Sequence, residues 1–368
     1  MTEPIISNTN VSGNTINFTL ENVNVSIANA LRRIIITDIP VVVLKTFPEN
    51  ENECTIFKNT TRMNNEIVKQ RLSCVPIHID DMQFPIDTYI LEINEENTEE
   101  NIRIITTEHF KIKNIQNDQY LPRDKVKTIF PPNALTKQYI DILRLRPKIS
   151  DEIAGESIHL ECKFSISSAK FDSMFNATST CIFSNTPDND KIESEWQKEE
   201  QKLKSTLNNE EKLVIEKDNF MLLHGQRIFV KDSFDFNIES IGIYPSITLI
   251  DKGCDILIEK FTTFLKDIQE NTELIYPSPT TIPNSYDIKL INEDYTIGNV
   301  LEFYLYSMFY ETNKLSYCGF KKFHPHDNYS VIRIAFHNPD DNNSIINYIN
   351  QVVNESINTF KKIKEQFK

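Results

Sequence analysis

The chain is 368 residues long, enough for two or three domains, and 39% of them are hydrophobic, as a globular protein requires. Its formal net charge of -14 argues against a broad nucleic-acid face, because phosphate binding rests on clustered Lys and Arg. No apolar run approaches the roughly 18–20 residues of a membrane span, and the opening MTEPIISNTN lacks the basic and apolar regions that mark a signal peptide.

Thr15 to Leu20 alternates apolar and polar, as a half-buried strand does. Asn24 and Ser26 are candidate N-caps, and Ile27, Ala30, Leu31, Ile34 and Ile35 follow as one apolar stripe at helical spacing. Arg32 and Arg33 fall off that stripe. Asp38-Ile39-Pro40 ends the helix, since the residue before proline is pushed out of the helical region. Val41 to Leu44 continues as a buried strand. Residues 59–78 read as a turn, a short helix and an exit through Pro76. Residues 79–138 hold short strands such as Tyr89–Ile93 and Ile102–Thr106 and end near Phe130-Pro131-Pro132, which reads as a small inserted subdomain. Ile140–Pro147 and Ser157–Ser165 are further strands.

Residues 188–218 are dense in Glu, Lys and Asp around the only tryptophan, Trp196. They read as an exposed helix with solvated charges, with a docking arm as the functional alternative. Phe234, Phe236 and Ile238 form a strand. Ile250, Cys254, Leu257, Phe261, Phe264, Leu265 and Ile268 predict a long amphipathic helix. Pro277, Pro279 and Pro283 place an extended surface linker at 272–285. Beyond it, Val331 to Phe336 is a strand. Ile346, Ile349, Val353, Ile357, Phe360, Ile363 and Phe367 then predict a second long helix, at a period suited to packing along another helix.

Residues 16–31, INFTLENVNVSIANAL, align without a gap on residues 286–301, YDIKLINEDYTIGNVL. Phe18 and Leu20 fall on Ile288 and Leu290, Asn22 on Asn292, and Ser26 to Leu31 on Thr296 to Leu301. A strand–turn–helix unit repeated at both ends of one chain predicts two homologous halves that pair with each other.

Motifs for chemistry are missing. With seven glycines, the sequence has no phosphate loop, and it has no G-x-S-x-G, H-E-x-x-H or G-x-G-x-x-G. The six cysteines, Cys54, Cys74, Cys162, Cys181, Cys254 and Cys318, include no CxxC pair and read as buried reduced thiols of an intracellular protein. Cys318, His324 and His326 are the one cluster with metal-capable side chains. A structural zinc site usually wants four ligands, so no metal is expected. Glu293 and Asp294 sit at a helix entry, where negative charge offsets the helix dipole. Arg32 and Arg33 match Glu302 and Phe303 in the second repeat, so only one half carries the arginine pair.

Ser26-Ile27-Ala28-Asn29-Ala30-Leu31-Arg32-Arg33-Ile34, followed by Asp38-Ile39-Pro40, resembles the signature of alpha-type RNA polymerase subunits. So do Asn59-Thr60-Thr61, Asn65-Glu66 and Arg71-Leu72-Ser73-Cys74-Val75-Pro76-Ile77. Asn292-Glu293-Asp294-Tyr295-Thr296-Ile297-Gly298-Asn299 is similar to the N-E-D-H-T-L-G-N of the small alpha-like subunit, with Tyr295 in place of the usual His. Tyr317-Cys318-Gly319-Phe320 and His324-Pro325-His326 echo its later segments. The whole resembles the third and eleventh subunits of eukaryotic RNA polymerase II, or archaeal subunits D and L, fused in tandem as in large cytoplasmic DNA viruses. No cysteine lies between Cys74 and Cys162, where many relatives hold a metal or cluster, so no cofactor is carried over.

The resemblance implies an α+β fold of two alpha-like dimerisation modules paired as an intramolecular pseudo-dimer. The first module is 1–78 plus 139–271, with a mostly-β insert at 79–138. The linker is 272–285 and the second, small module 286–368. Ile27, Ala30, Leu31, Ile34, Ile297, Val300, Leu301, Ile349, Val353 and Phe360 would form the pseudo-dimer interface. Asn29, Arg32, Arg33 and Arg71 would face a large subunit. The implied role is a non-catalytic assembly platform for the two largest polymerase subunits and small companion subunits. No extensive DNA contact and no membrane are expected, and the implied places are intracellular: host cytoplasm and virion for a viral chain, with the nucleus as the alternative. A pseudo-dimeric scaffold unrelated to transcription is the rival reading; it explains the repeat but not both signatures.

Overall fold

The computed structural model describes residues 3–150, 152–204, 210–339 and 342–367. Strand β1 (Ile5–Ser12) turns at Gly13, whose φ of 59° is left-handed, into β2 (Thr15–Glu21). Helix α1 (Val25–Thr37) follows, with Ile27, Ala30, Leu31, Ile34 and Ile35 buried as the stripe requires. Next come β3 (Val41–Val43), β4 (Cys54–Asn59), α2 (Asn65–Ser73), β5 (Tyr89–Glu96), β6 (Arg103–Thr106) and β7 (Lys111–Asn114). Then follow α3 (Arg123–Ile129), β8 (Asp141–Leu145), β9 (Ser157–Lys163), β10 (Ser165–Ser167) and β11 (Thr178–Pro187). Helices α4 (Asn189–Lys204) and α5 (Glu210–Leu223) precede β12 (Phe229–Ser240) and the long α6 (Ser246–Glu270). The chain ends with β13 (Ile275–Pro277), β14 (Ser285–Ile291), α7 (Tyr295–Leu305), β15 (Leu315–Lys321), β16 (Tyr329–Phe336) and α8 (Asn342–Glu365).

Two compact units result. One comprises Met1–Ile35, Thr180–Glu239 and Ile250–Lys368. It carries two four-stranded sheets, ordered β1-β2-β12-β11 and β13-β14-β16-β15. These orders are the same once the chain position of each strand is matched. In each set an edge strand is followed by the repeat strand, the repeat helix, a second edge strand, a central strand and a long helix. β2 pairs antiparallel with β12, and β14 pairs antiparallel with β16. The sequence repeat extends to the backbone. Asn22 and Asn292, matched in the alignment, both take the left-handed conformation, with φ of 61° and 56°. Asparagine tolerates that region because its short polar side chain bonds locally.

The other unit comprises Ile36–Ser179 and Ser240–Leu249. Its main sheet runs β4-β9-β5-β7, with two-stranded pairs β6–β8 and β3–β10 beside it. Val68 and Leu72 of α2, Leu91 and Ile93 of β5, and Phe110 and Phe130 close its core, the last two in an edge-to-face contact at 4.9 Å. This unit is wider than the 79–138 expected from the sequence. The reason is the sheet: β9 lies between β4 and β5, so strands on both sides of the insert share its hydrogen bonds and core.

Three further expectations differ from the structure. The segment 272–285 is not wholly extended linker. Leu274 and Ile275 are buried, and β13 bonds to β14 through Ile275↔Ile288 and Pro277↔Tyr286. Pro277 is tolerated because β13 is an edge strand, where a missing N–H costs no ladder bond. The charged region around Trp196 is not one solvated helix. α4 and α5 pack on each other, and Trp196 is buried with its ring 5.4 Å from that of Phe220; residues 205–209 lie outside the described residues. In α8 the buried stripe includes Ile345 and Val352 beside Ile349, Val353, Phe360 and Ile363, whereas Ile346 and Ile357 are only half-buried.

Candidate assembly surface

The two repeat helices begin alike. Asn24 Oδ1 accepts from the Ser26 N–H at 2.9 Å, and Asp294 Oδ1 accepts from the Thr296 N–H at 2.9 Å. Each side chain satisfies an amide that has no partner within its helix. Asp294 does a second job. Its Oδ2 accepts from Arg33 Nη2 at 2.7 Å, which ties the C-terminal half of α1 to the start of α7. Burial works against the Asp294 carboxylate, but the Thr296 bonds and the Arg33 guanidinium outweigh it and hold its pKa below the usual carboxylate value. One residue earlier, Glu293 Oε1 lies 3.0 Å from Lys260 Nζ of α6.

The long helices meet in the same unit. Phe261 of α6 and Phe360 of α8, both fully buried, stack with ring centroids 6.0 Å apart. Lys364 of α8 reaches Asp255 at 2.6 Å and Asp251 at 3.2 Å, both on α6. Past the end of α8, Phe367 packs edge-on against Phe18 of β2 at 5.0 Å, and Phe18 stacks on Phe236 of β12. The Gln366 amide accepts from the Ile6 N–H and donates to the Pro4 carbonyl, both at 2.8 Å. Between α7 and α8, Tyr304 and Thr359 share a hydroxyl hydrogen bond of 2.6 Å; burial, partly offset by that bond, pushes the Tyr304 pKa up to about 12.

Ile27, Ala30, Leu31, Ile34, Ile297, Val300, Leu301, Ile349, Val353 and Phe360 are all buried within this unit. Where small residues stand, neighbours come close. A Cβ on Gly253 of α6 would lie 2.8 Å from Ile35 Cγ1 of α1, and one on Gly298 of α7 would lie 2.0 Å from the Phe320 ring.

The arginines read from the sequence as a pair are not equivalent. Arg32 turns back on its own helix, donating through Nε and Nη2 to Asn29 Oδ1 at 3.1 and 2.9 Å. This fork presents Asn29 and Arg32 as one rigid, half-buried polar group. Arg33 instead serves Asp294. Arg71 belongs to the other compact unit, where Nη2 donates to the Asp141 carbonyl at 2.7 Å. Sequence reasoning missed the ion pair of Asp294, treating its charge as a helix-dipole effect alone. The signal available was its alignment with Asn24: an acid replaces an amide at one of two matched caps.

Among the described residues, no three His, Cys, Asp or Glu side chains are grouped as a metal ion would need. His324 and His326 lie with rings 5.1 Å apart, and Cys318 lies on β15, its thiol pushed up to about 11 by burial. A cleft of about 270 Å³ between α6 and β14 is lined by Ile256, Phe264 and Leu274, and Lys260 and Glu293 in it are already paired. Among the described residues, no helix is long and apolar enough to cross a membrane.

The model of the RNA polymerase Rpb3/Rpb11 dimerisation domain matches residues 17–261, two thirds of the chain. The chain belongs to the Rpb3/Rpb11 dimerisation-domain family. It is similar to the DNA-directed RNA polymerase subunit Rpo3 of Methanosphaera stadtmanae, 22% identical over 69% of this chain and 94% of that protein. It is also similar to the RPAC1 subunit of DNA-directed RNA polymerases I and III of Homo sapiens, 22% identical over 69% of this chain and 82% of that one. A conjugation stage-specific protein of Tetrahymena thermophila is 20% identical over 69% of this chain and 92% of its own length. Within this Rpb3/Rpb11-type chain, the family match begins inside β2, takes in α1 and the strands from there through β12, and stops inside α6.

Proposed function

We propose that this chain is a non-catalytic assembly-platform subunit of a multisubunit DNA-directed RNA polymerase. Its two modules pair as an intramolecular pseudo-dimer, and the two largest, catalytic subunits dock on that pseudo-dimer with small companion subunits around it. The observation that carries this reading is the recurrence of one sheet order, β1-β2-β12-β11 and β13-β14-β16-β15, in a chain of the Rpb3/Rpb11 dimerisation family. Named relatives that are polymerase subunits supply the transcription context. In this reading the chain is a tandem of third- and eleventh-subunit types, as in polymerases of large cytoplasmic DNA viruses, and it acts in host cytoplasm and virion, with the nucleus as the alternative for a chain that is not viral.

In this reading the residues divide their work. Ile27, Ala30, Leu31, Ile34, Ile297, Val300, Leu301, Ile349, Val353 and Phe360 hold the pseudo-dimer. Asn29 and Arg32 contact a large subunit, because a guanidinium already fixed on one side loses little further freedom when it binds a carboxylate or backbone carbonyl. Arg71 adds a second docking contact. Arg33 acts at both levels, by bonding Asp294 and by setting the α1 surface beside Arg32.

The test is affinity purification of the tagged chain with mass spectrometry of the intact complex. Wild type should carry two very large subunits and DNA-dependent RNA synthesis. An Arg32→Ala variant should fold and keep its modules together but lose the large subunits, since truncating one partner of a buried interfacial pair costs about 2–5 kcal/mol. Recovery of the wild-type chain with no large partners, or RNA synthesis by the isolated chain, overturns the reading.

A further inference from the structure

Cys54 and Cys162 stand directly opposite each other on β4 and β9, neighbouring antiparallel strands. Next to them the Lys163 N–H donates to the Glu53 carbonyl at 3.0 Å. That bond brackets the cysteines and makes theirs a non-hydrogen-bonded pair. In such pairs the Cα atoms approach to about 4.5 Å and the side chains come closest. A disulfide spans Cα separations of about 4.4–6.8 Å, so the backbone already holds the spacing a bridge needs. Both side chains are buried. Contact with the Cys162 thiol, offset in part by burial and helped by Lys69, holds the Cys54 thiol below its usual range. Contact with Cys54 and burial push Cys162 well above it. The other cysteines stand on other elements, at the end of α2, on β11, on α6 and on β15. β4 is an edge strand, and its register with β9 slips between Ile56 and Lys58. Edge strands with broken ladders open first, which admits small solutes to the thiols.

We propose that Cys54 and Cys162 form a reversible oxidation site, a dithiol that a low-molecular-weight disulfide converts into a cross-strand bridge stapling β4 to β9. The Cys54 thiolate attacks one sulfur of the small disulfide. That S–S bond breaks, and the first small thiolate leaves and takes up the proton Cys54 has lost. Cys162 then gives up its proton and attacks the Cys54 sulfur, releasing the second small thiolate, which is protonated in turn. The protein sulfurs lose two electrons and the small disulfide gains them. The bridge closes the chain from 54 to 162 and pins the edge of the second unit's sheet, independently of any polymerase role.

The test is equilibration of the purified full chain in glutathione redox buffers, natively and in concentrated urea, with alkylation of free thiols and mapping by mass spectrometry. The native chain should form the Cys54–Cys162 bridge at a glutathione poise about a hundred-fold more reducing than the urea-unfolded chain needs. The bridged protein should melt at a higher temperature, and Cys74→Ser and Cys318→Ser should leave the result unchanged. Cys54→Ser should abolish the bridge. A bridge no more stable in the native chain than in urea, or native bridging of other cysteines in its place, overturns the proposal.

Discussion

Arg33 Nη2 on α1 lies 2.7 Å from Asp294 Oδ2 at the first turn of α7, across 261 residues of sequence. The same carboxylate caps α7, so the two ends of the repeat are joined at the residue that starts the second helix. Asp294→Ala removes both bonds and should destabilise the chain by about 1–2 kcal/mol, while Arg33→Ala, which spares the cap, should cost about 1 kcal/mol or less because the pair is partly exposed. A double-mutant cycle by urea unfolding measures the coupling. The Asp294 pKa is held below its ordinary value in the folded chain. Its contribution is therefore fully present above about pH 4 and is lost as pH falls through the folded pKa. The acid limb of the stability curve should flatten in Asp294→Asn.

Phe261 and Phe360 are both fully buried where α6 meets α8. Phe360→Ala should destabilise by about 3–5 kcal/mol, the cost of a buried aromatic and the cavity it leaves. Lys364→Ala, which breaks pairs to half-buried Asp251 and exposed Asp255, should cost about 1 kcal/mol or less. Equal losses in thermal and urea unfolding would place the holding force in charge, not in packing.

Gly298 is the second repeat's counterpart of Ala28, yet a Cβ there would stand 2.0 Å from the Phe320 ring. Gly298→Ala should cost about 1–3 kcal/mol by overpacking, although alanine is the better helix former. Phe320→Ala should relieve part of that cost in the double variant. An additive loss would show that the ring is not the obstacle.

His78 Nδ1 lies 3.0 Å from the Gly242 carbonyl, which makes it the donor, and burial lowers its pKa more than that bond raises it. The unfolded chain takes up this proton near pH 6.5 and the folded chain resists. Stability of the second unit should therefore fall as pH drops below about 6.5, until the folded pKa is reached. Amide exchange at Ile77 and Ile79 should report it, and His78→Gln should remove the slope.

Cutting the chain between Pro279 and Pro283, in the turn that joins β13 to β14, should leave two fragments that co-elute at roughly micromolar concentration. The long-helix contacts and the β13–β14 ladder persist without the covalent link, and the link itself adds effective concentration, not contacts. Fragments that separate on a sizing column would mean that the connection, not the surface, holds the modules.

The sequence by itself determined the local elements whose periodicity burial imposes. The stripe of α1, the alternation of β2 and the gap-free match of 16–31 to 286–301 are all properties of short windows, and so were legible. The matched caps and left-handed asparagines follow from that alignment. Tertiary structure alone decided what each side chain meets. Arg32 and Arg33 are neighbours of like type, yet one closes on Asn29 three residues away and the other on Asp294. Trp196 sits in a charged run, but α5 supplies Phe220 to bury it. β13 looked like linker because prolines disfavour regular structure, but an edge strand needs no N–H on its open side. The insert widened because β9, far along the chain, is the strand between β4 and β5. These outcomes depend on contacts between distant residues, whose partners no local pattern encodes.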